Sequence, residues 1–145
     1  MAHSPTSASP VLSHRGHHIA LWTAQVLLAL AFGSAGVMKT TMPIATLVQN
    51  GMVWTGDVPA WLVRAIGACE LAAAIGLILP SLTGIRPDLT PQAALGLLTI
   101  MVLAMAFHIS RGEPQMIPMN MMLGGIAAFV ASGRNTKAPI EPRSG

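Results

Sequence analysis

The sequence predicts an all-α integral membrane protein, a four-helix bundle whose N-terminus and C-terminus both lie in the cytoplasm. Of its 145 residues, 52% are hydrophobic and only 9% are charged, whereas about a quarter are charged in ordinary soluble domains. The few charges fall mainly in short segments between long apolar runs, as they do in membrane proteins. We therefore expect lipid around most of the chain.

Four apolar runs give the predicted transmembrane helices, each long enough to cross most or all of a bilayer of about 30 Å. They cover residues 19–38, 61–79, 91–109 and 116–132. A cleaved signal peptide is the alternative for the first run, because Arg15 precedes it, but the run is longer than an ordinary signal core. The prediction is a single transmembrane domain at residues 19–134.

The segments between the runs set the predicted boundaries. Residues 1–18 are rich in Ser, Pro and His and predict a disordered tail, and residues 135–145 predict a polar C-terminal tail. Residues 39–60 contain several turn-forming residues and predict a loop that carries one short interfacial helix. Pro80 is expected to stop the second helix, and Thr90 followed by proline predicts the N-cap of the third.

The distribution of basic residues predicts the orientation. Across four spans, one side of the membrane receives Arg15, Arg86, Arg134, Lys137 and Arg143, and the other receives Lys39, Arg64 and Arg111. Because loops rich in Lys and Arg stay in the cytoplasm, we assign both termini to the cytoplasmic side.

Small residues at helical spacing predict the packing faces. Lipid gives apolar side chains little reason to leave it, so close approach of helix backbones must supply much of the attraction. Two such rows occur: Ala68, Ala72 and Gly76 on the second predicted helix, and Gly124, Ala128 and Ser132 on the fourth.

Six polar residues lie in or beside the apolar runs and form the candidate network: Lys39, Arg64, Glu70, His108, Arg111 and Asn120. All six are expected in the outer half of the membrane. A carboxylate at the bilayer centre costs about 2.5–3.5 kcal/mol on insertion scales. Glu70 therefore needs a partner, and Lys39 or His108 could supply it.

Three interpretations of this network are open. The first is a buried network that fixes which helices meet, with the Asn120 amide as an interhelical clamp. The second is a small-molecule or proton site that opens to the outer face. The third is a protonated Glu70 that has no partner.

Several classes of function are excluded by composition and motif. Cys69 is the single cysteine, so the chain has no redox cysteine pair and no cysteine-based metal cage. We expect no metal site and no catalytic residue, because no nucleophile motif or phosphate-binding loop is present. Lys and Arg are scattered singly, so we expect no nucleic-acid binding.

A family resemblance adds to this interpretation. Ala35 to Lys39, then Gly67 to Leu71 running to Gly76 to Pro80, resemble the DoxX and DoxX-like membrane proteins, and the likeness covers residues 19–134. It implies a four-helix bundle in a bacterial inner membrane, with Lys39, Glu70, His108 and Asn120 as the recurring polar set. The family name derives from a subunit of a thiosulfate:quinone oxidoreductase.

We therefore hypothesise a non-catalytic membrane subunit that anchors or organises a protein partner, or a homo-oligomer, in a quinone-linked or thiol-redox assembly. One alternative is a quinone-binding oxidoreductase subunit in which His108 and Glu70 would contact the quinone. Another is a small transporter or proton pathway that uses Glu70, although the chain has no inverted repeat or broken helix. The sequence offers no self-contained enzyme.

Overall fold

Four long helices dominate the computed structural model, which describes residues 14–143. The α-helices are α1 (His14–Thr41), α2 (Ile44–Gln49), α3 (Ala60–Thr83), α4 (Leu89–Ser110) and α5 (Ile117–Ser132). Short 3-10 helices occupy Val53–Gly56 and Pro114–Met116, and a π-helical turn, Gly133–Lys137, follows α5. Four segments are long and apolar enough to cross a membrane: Arg15–Thr41, Ala60–Thr83, Leu89–Ser110 and Pro114–Lys137.

The four long helices form a closed ring. Helix α1 packs against α3, α3 against α4, α4 against α5, and α5 returns to α1, with the α1–α3 interface the most extensive. Leu28, Phe32, Leu77, Leu97 and Val130 are among the side chains that fill the centre. The outer faces are also apolar, for example at Leu30 and Leu103, which is the composition expected of a surface in contact with lipid.

The two ends of the bundle differ in content. His18 at the start of α1 lies next to Arg134 after α5, so both ends of the described chain lie at one end of the bundle, which we call the termini end. The turn between α3 and α4 lies there too, because the Arg143 amide donates to the Gly84 carbonyl. The loop end is the opposite one, covered by residues 42–59 and 111–116.

Helix α1 begins earlier than predicted. The disordered tail was predicted to reach residue 18, but residues 14–18 are already helical. The Trp22 indole donates to His18 across one helical turn, at 3.1 Å, and holds the first turn in place. The rest of that predicted tail, residues 1–13, lies outside the described residues.

Helix α3 does not stop at Pro80. It runs three residues further to Thr83 and is capped by Gly84, whose φ of 68° is the left-handed conformation that glycine adopts readily. Proline is tolerated inside membrane helices, and the Gln25 amide donates to the Leu77 carbonyl, one residue after the Gly76 carbonyl that Pro80 leaves without its helical donor. The predicted N-cap was also wrong: α4 starts at Leu89, and Thr90 bonds to Ser81 instead.

The C-terminal segment is packed onto the bundle. Residues 135–145 were predicted to be a polar tail, yet the π-helical turn includes residues 135–137 and Ala138 is fully buried. The Arg143 amide then bonds to Gly84. Residues 144–145 lie outside the described part of the chain.

The predicted packing rows are only partly buried. Ala68 and Ala72 are exposed, while Gly76 lies against Ala93 of α4. On α5, Gly124 is buried, Ala128 is half-buried and Ser132 is exposed. The buried row of α3 comprises Val63, Gly67, Glu70, Ala74 and Leu77. Because the carboxylate of Glu70 must face away from lipid, the row of α3 that contains Glu70 lies in the interior of the bundle.

Candidate functional site

A buried ion pair joins α1 to α3 at the loop end. Lys39 Nζ donates to both oxygens of Glu70, at 2.6 and 2.8 Å. The two residues are only 8% and 2% exposed, so the pair is removed from both water and lipid. Glu70 is ten residues into α3, about 15 Å from the start of that helix. The predicted need for a partner is thus met by Lys39, and His108 bonds elsewhere.

Helix polarity directs the two side chains towards each other. Side chains on a helix lean towards its N-terminus, so Lys39 near the end of α1 leans into the bundle. Glu70 on the antiparallel helix α3 leans towards the loop end. The ammonium group therefore points away from the membrane surface, opposite to the direction in which lysines near helix ends usually extend.

Two glycines allow the helices to approach at this point. A Cβ on Gly67 would lie 2.7 Å from Lys39 Cβ, and one on Gly36 would lie 2.8 Å from the Gly67 carbonyl oxygen. Any larger residue would push α1 away from α3. The glycines therefore set the interhelical distance that the ion pair spans.

Groups from the loop and from α3 complete the surroundings of Lys39. Its ammonium group lies 5.8 Å from the centre of the Trp54 ring, within the range of a cation–π interaction. Trp54 also packs edge-to-face on Phe107 of α4. Arg64, a predicted member of the network, donates to the backbone carbonyl of Lys39, and so satisfies one of the free carbonyls at the end of α1.

A second cluster of charges closes the loop end. Arg111 donates to Asp57 at 2.6 Å and to Glu113 at 2.9 Å. His108 Nδ1 lies 2.7 Å from the other oxygen of Glu113, and because an ionised carboxylate only accepts, the proton is on Nδ1. Two residues of the predicted network, His108 and Arg111, are thus joined through Glu113, which lies between the third and fourth predicted helices.

Hydrogen bonding sets the ionisation of this second cluster. The bond from His108, followed by the bond and charge of Arg111, holds the pKa of Glu113 below its ordinary value of 4.5. The pKa of Arg111 is raised by its bonds to Asp57 and Glu113. Glu113 is therefore an ionised acceptor at neutral pH, and it connects α4 to the loop covering the bundle.

Asn120 does not form the predicted clamp. The residue is 8% exposed, and its Nδ2 has no hydrogen-bond partner within residues 14–143. His108, buried on α4 at the same end, is already bonded to Glu113. No bond from His108 Nε2 is present among the described residues either. The Asn120 amide is therefore a buried donor at the loop end that is free to bind an acceptor, whereas the Nε2 of His108, with the ring proton on Nδ1, can only accept.

The termini end holds a polar cluster that sequence reasoning missed. Gln25 donates to Ser81 at 3.0 Å, Ser81 is 2.9 Å from Thr90, and Arg134 Nε donates to Gln25 at 2.5 Å. All four residues are buried. One signal could have found it, since Gln25 is an amide in the middle of an otherwise apolar run and needs a bonding partner there.

The described residues contain no group of three His, Cys, Asp or Glu side chains that could hold a metal ion. Two apolar grooves of about 550 and 430 Å³ run along α1, one beside α5 and one beside α3. No residue of the loop-end network lines either groove. Together with the ion pairs, this arrangement is suited to holding helices together and to contact with lipid or another helix.

Comparisons with known proteins place these residues in a family. Neither the curated proteins nor the solved structures gave a match. The model of the DoxX-like family matches residues 23–130, a range that contains Lys39, Glu70, His108 and Asn120 and ends before Arg134. This multi-pass membrane protein therefore belongs to the DoxX-like family.

Proposed function

We propose that the chain is a non-catalytic membrane subunit that organises a protein partner within the bilayer, in a quinone-linked or thiol-redox assembly. The observation that supports this proposal is that acidic and basic side chains at the loop end are bonded to one another. Lys39 is bonded to Glu70, and Arg111 is bonded to Asp57 and Glu113. Acids and bases engaged with each other hold helices in register and do not serve as free proton donors or acceptors.

The exposed face of α3 supports a helical partner. Ala68 and Ala72 were predicted to pack inside the bundle, but both are exposed one turn apart, with Cys69 beside them. Small residues let a second helix come close enough for backbone contact in lipid. The partner we propose is a transmembrane helix of another protein, with a second copy of this chain as the other outcome.

The test is a pull-down of the tagged full chain from native membranes. We expect Ala72→Leu to lose most of the co-purifying partner, because the added branched side chain separates the two helices. Ala106→Leu, on the exposed face of α4, is the matched control and should retain it. Equal recovery from both variants, or no partner with the unaltered chain, would contradict the proposal. Oxidation that joins two chains through their Cys69 residues would show that the partner is a second copy of this chain.

A quinone-binding subunit is the second candidate, and the free Asn120 amide at the loop end favours it. Asn120 is more than nine-tenths buried, and its Nδ2 has no acceptor among the described residues. A quinone would supply two carbonyl acceptors and a redox-active ring. The Asn120 amide fits such a carbonyl and would bind and orient it.

Asn120→Leu separates the two candidates. If the amide has no ligand, replacing an unbonded buried polar group by an apolar one should leave the melting temperature unchanged or raise it. If it binds a quinone, added quinone should raise the melting temperature of the unaltered chain and have no effect on the variant. A thermal shift in detergent measures both, and equal quinone stabilisation of the two chains would exclude this site.

We also propose that both termini are cytoplasmic and that the membrane is a bacterial inner membrane. The termini end carries five basic and two acidic residues, whereas the loop end carries three of each. The excess positive charge is thus at the termini end. A membrane-impermeant maleimide on intact cells should label Asn50→Cys and spare Thr136→Cys, both in a Cys69→Ser background. The reverse labelling pattern would show that both termini lie on the side opposite to the cytoplasm.

A further inference from the structure

Arg134 is a buried cation whose described contacts are all neutral. The residue is 3% exposed. Its Nε donates to the Gln25 amide oxygen at 2.5 Å, and its Nη1 donates to the Ala138 carbonyl at 3.2 Å. The guanidinium also lies 5.5 Å from the centre of the Trp22 ring. Within residues 14–143 no carboxylate forms an ion pair with it.

The remaining donors of Arg134 are unsatisfied. Nη2 is buried and has no hydrogen-bond partner among the described residues. Nη1 lies 3.4 Å from His18 Nδ1, but the Nε2 of that ring accepts from Trp22. A neutral imidazole has only one acceptor nitrogen, so its Nδ1 carries the proton and cannot accept from Arg134.

Burying a positive charge is unfavourable unless an anion pairs with it. The nearby polar chain does not supply one, since Gln25, Ser81 and Thr90 are neutral and serve to orient the Gln25 oxygen towards Arg134. The other basic residues at this end, including Arg15 and Lys137, are exposed and make the surroundings more positive.

We propose that Arg134 binds a phosphate group, carried by the headgroup of an anionic phospholipid or present as free phosphate. The planar guanidinium matches phosphate with two parallel hydrogen bonds, which an ammonium group cannot provide. Trp22 beside it is typical of the membrane interface, the depth at which lipid phosphates lie. Residues Gly133–Lys137 form a π-helical turn, a rare conformation that, where it occurs, is frequently at a functional site.

The experiment is native mass spectrometry of the full chain in detergent, with added phosphatidylglycerol or phosphatidylcholine. We expect phosphatidylglycerol to remain bound to the unaltered chain, and Arg134→Gln to weaken its binding by about tenfold or more, because a charge-assisted hydrogen bond is lost. Arg86→Gln removes an exposed arginine at the same end and should bind as the unaltered chain does. Arg134→Lys keeps the charge without the planar group and should bind with intermediate strength.

The melting temperature in each lipid, and with inorganic phosphate alone, identifies the source of the phosphate. A rise with phosphatidylglycerol only indicates the lipid headgroup, and an equal rise with inorganic phosphate indicates the free ion. Equal lipid retention by Arg134→Gln and Arg86→Gln would overturn the proposal. If Arg134→Gln does not accumulate, the unaltered chain still provides the test: a melting temperature that neither phosphatidylglycerol nor inorganic phosphate raises above its value in detergent alone would overturn the proposal.

Discussion

Replacing Lys39 by methionine is expected to lower the free energy of unfolding by about 3–5 kcal/mol, the usual loss when one member of a buried ion pair is removed. Methionine keeps most of the length of the lysine stem, so packing against Gly67 is preserved. What is lost is the counterion of Glu70, whose carboxylate is 2% exposed and whose oxygens have no other hydrogen-bond partner among the described residues.

The measurement is unfolding of the purified chain in mixed micelles, followed by helical circular dichroism. Lys137→Met is the matched control, because Lys137 is exposed at the termini end and forms none of the ion pairs found in the described chain; it should stay within about 0.5 kcal/mol of the unaltered protein. A Lys39→Met variant as stable as that control would mean that Glu70 does not depend on Lys39.

The second large effect is expected at the close approach of α1 and α3. Gly67→Ala places a methyl group 2.7 Å from Lys39 Cβ and 3.0 Å from the Gly36 carbonyl oxygen. These contacts are with backbone or with atoms next to it, so the helices must separate. We expect a loss of about 1–3 kcal/mol in the free energy of unfolding, and a greater loss for Gly67→Val.

Gly96→Ala and Gly125→Ala are the controls for this prediction. Both glycines lie inside helices, and a Cβ at either would meet nothing within 4 Å. Because alanine favours helix over glycine, these variants should be neutral or more stable by up to about 1 kcal/mol. If all three alanine variants behave alike, close packing at Gly67 does not hold α1 against α3.

The sequence predicted the bundle because hydrophobic runs report directly on lipid exposure. It also narrowed the partner of Glu70 to Lys39 or His108, since so few cations lie near the apolar runs. It could not choose between them, because hydropathy does not fix the register of one helix against another. That register depends on the contact of Gly36 with Gly67. Glycines are common in membrane helices, so their presence in the sequence does not single out this contact.

Other parts of the site could not be predicted for different reasons. Glu113 was placed in a loop, where a carboxylate is usually solvated, yet it bonds to both His108 and Arg111. Gln25 and Arg134 are 109 residues apart, and only the closed ring of helices brings them together. Ala68 and Ala72 have the spacing of a packing row, but spacing alone does not say whether a row faces the bundle or the lipid.

The most direct test of the central claim, that the α1–α3 ion pair serves to hold the bundle together, is a double-mutant cycle over Lys39→Met and Glu70→Leu. We expect the double variant to unfold within about 1 kcal/mol of the unaltered chain, since an apolar pair can replace a buried ion pair. The coupling free energy between the two sites should then exceed about 2 kcal/mol. Additive losses in the double variant would show that the two side chains contribute independently, and would contradict the claim.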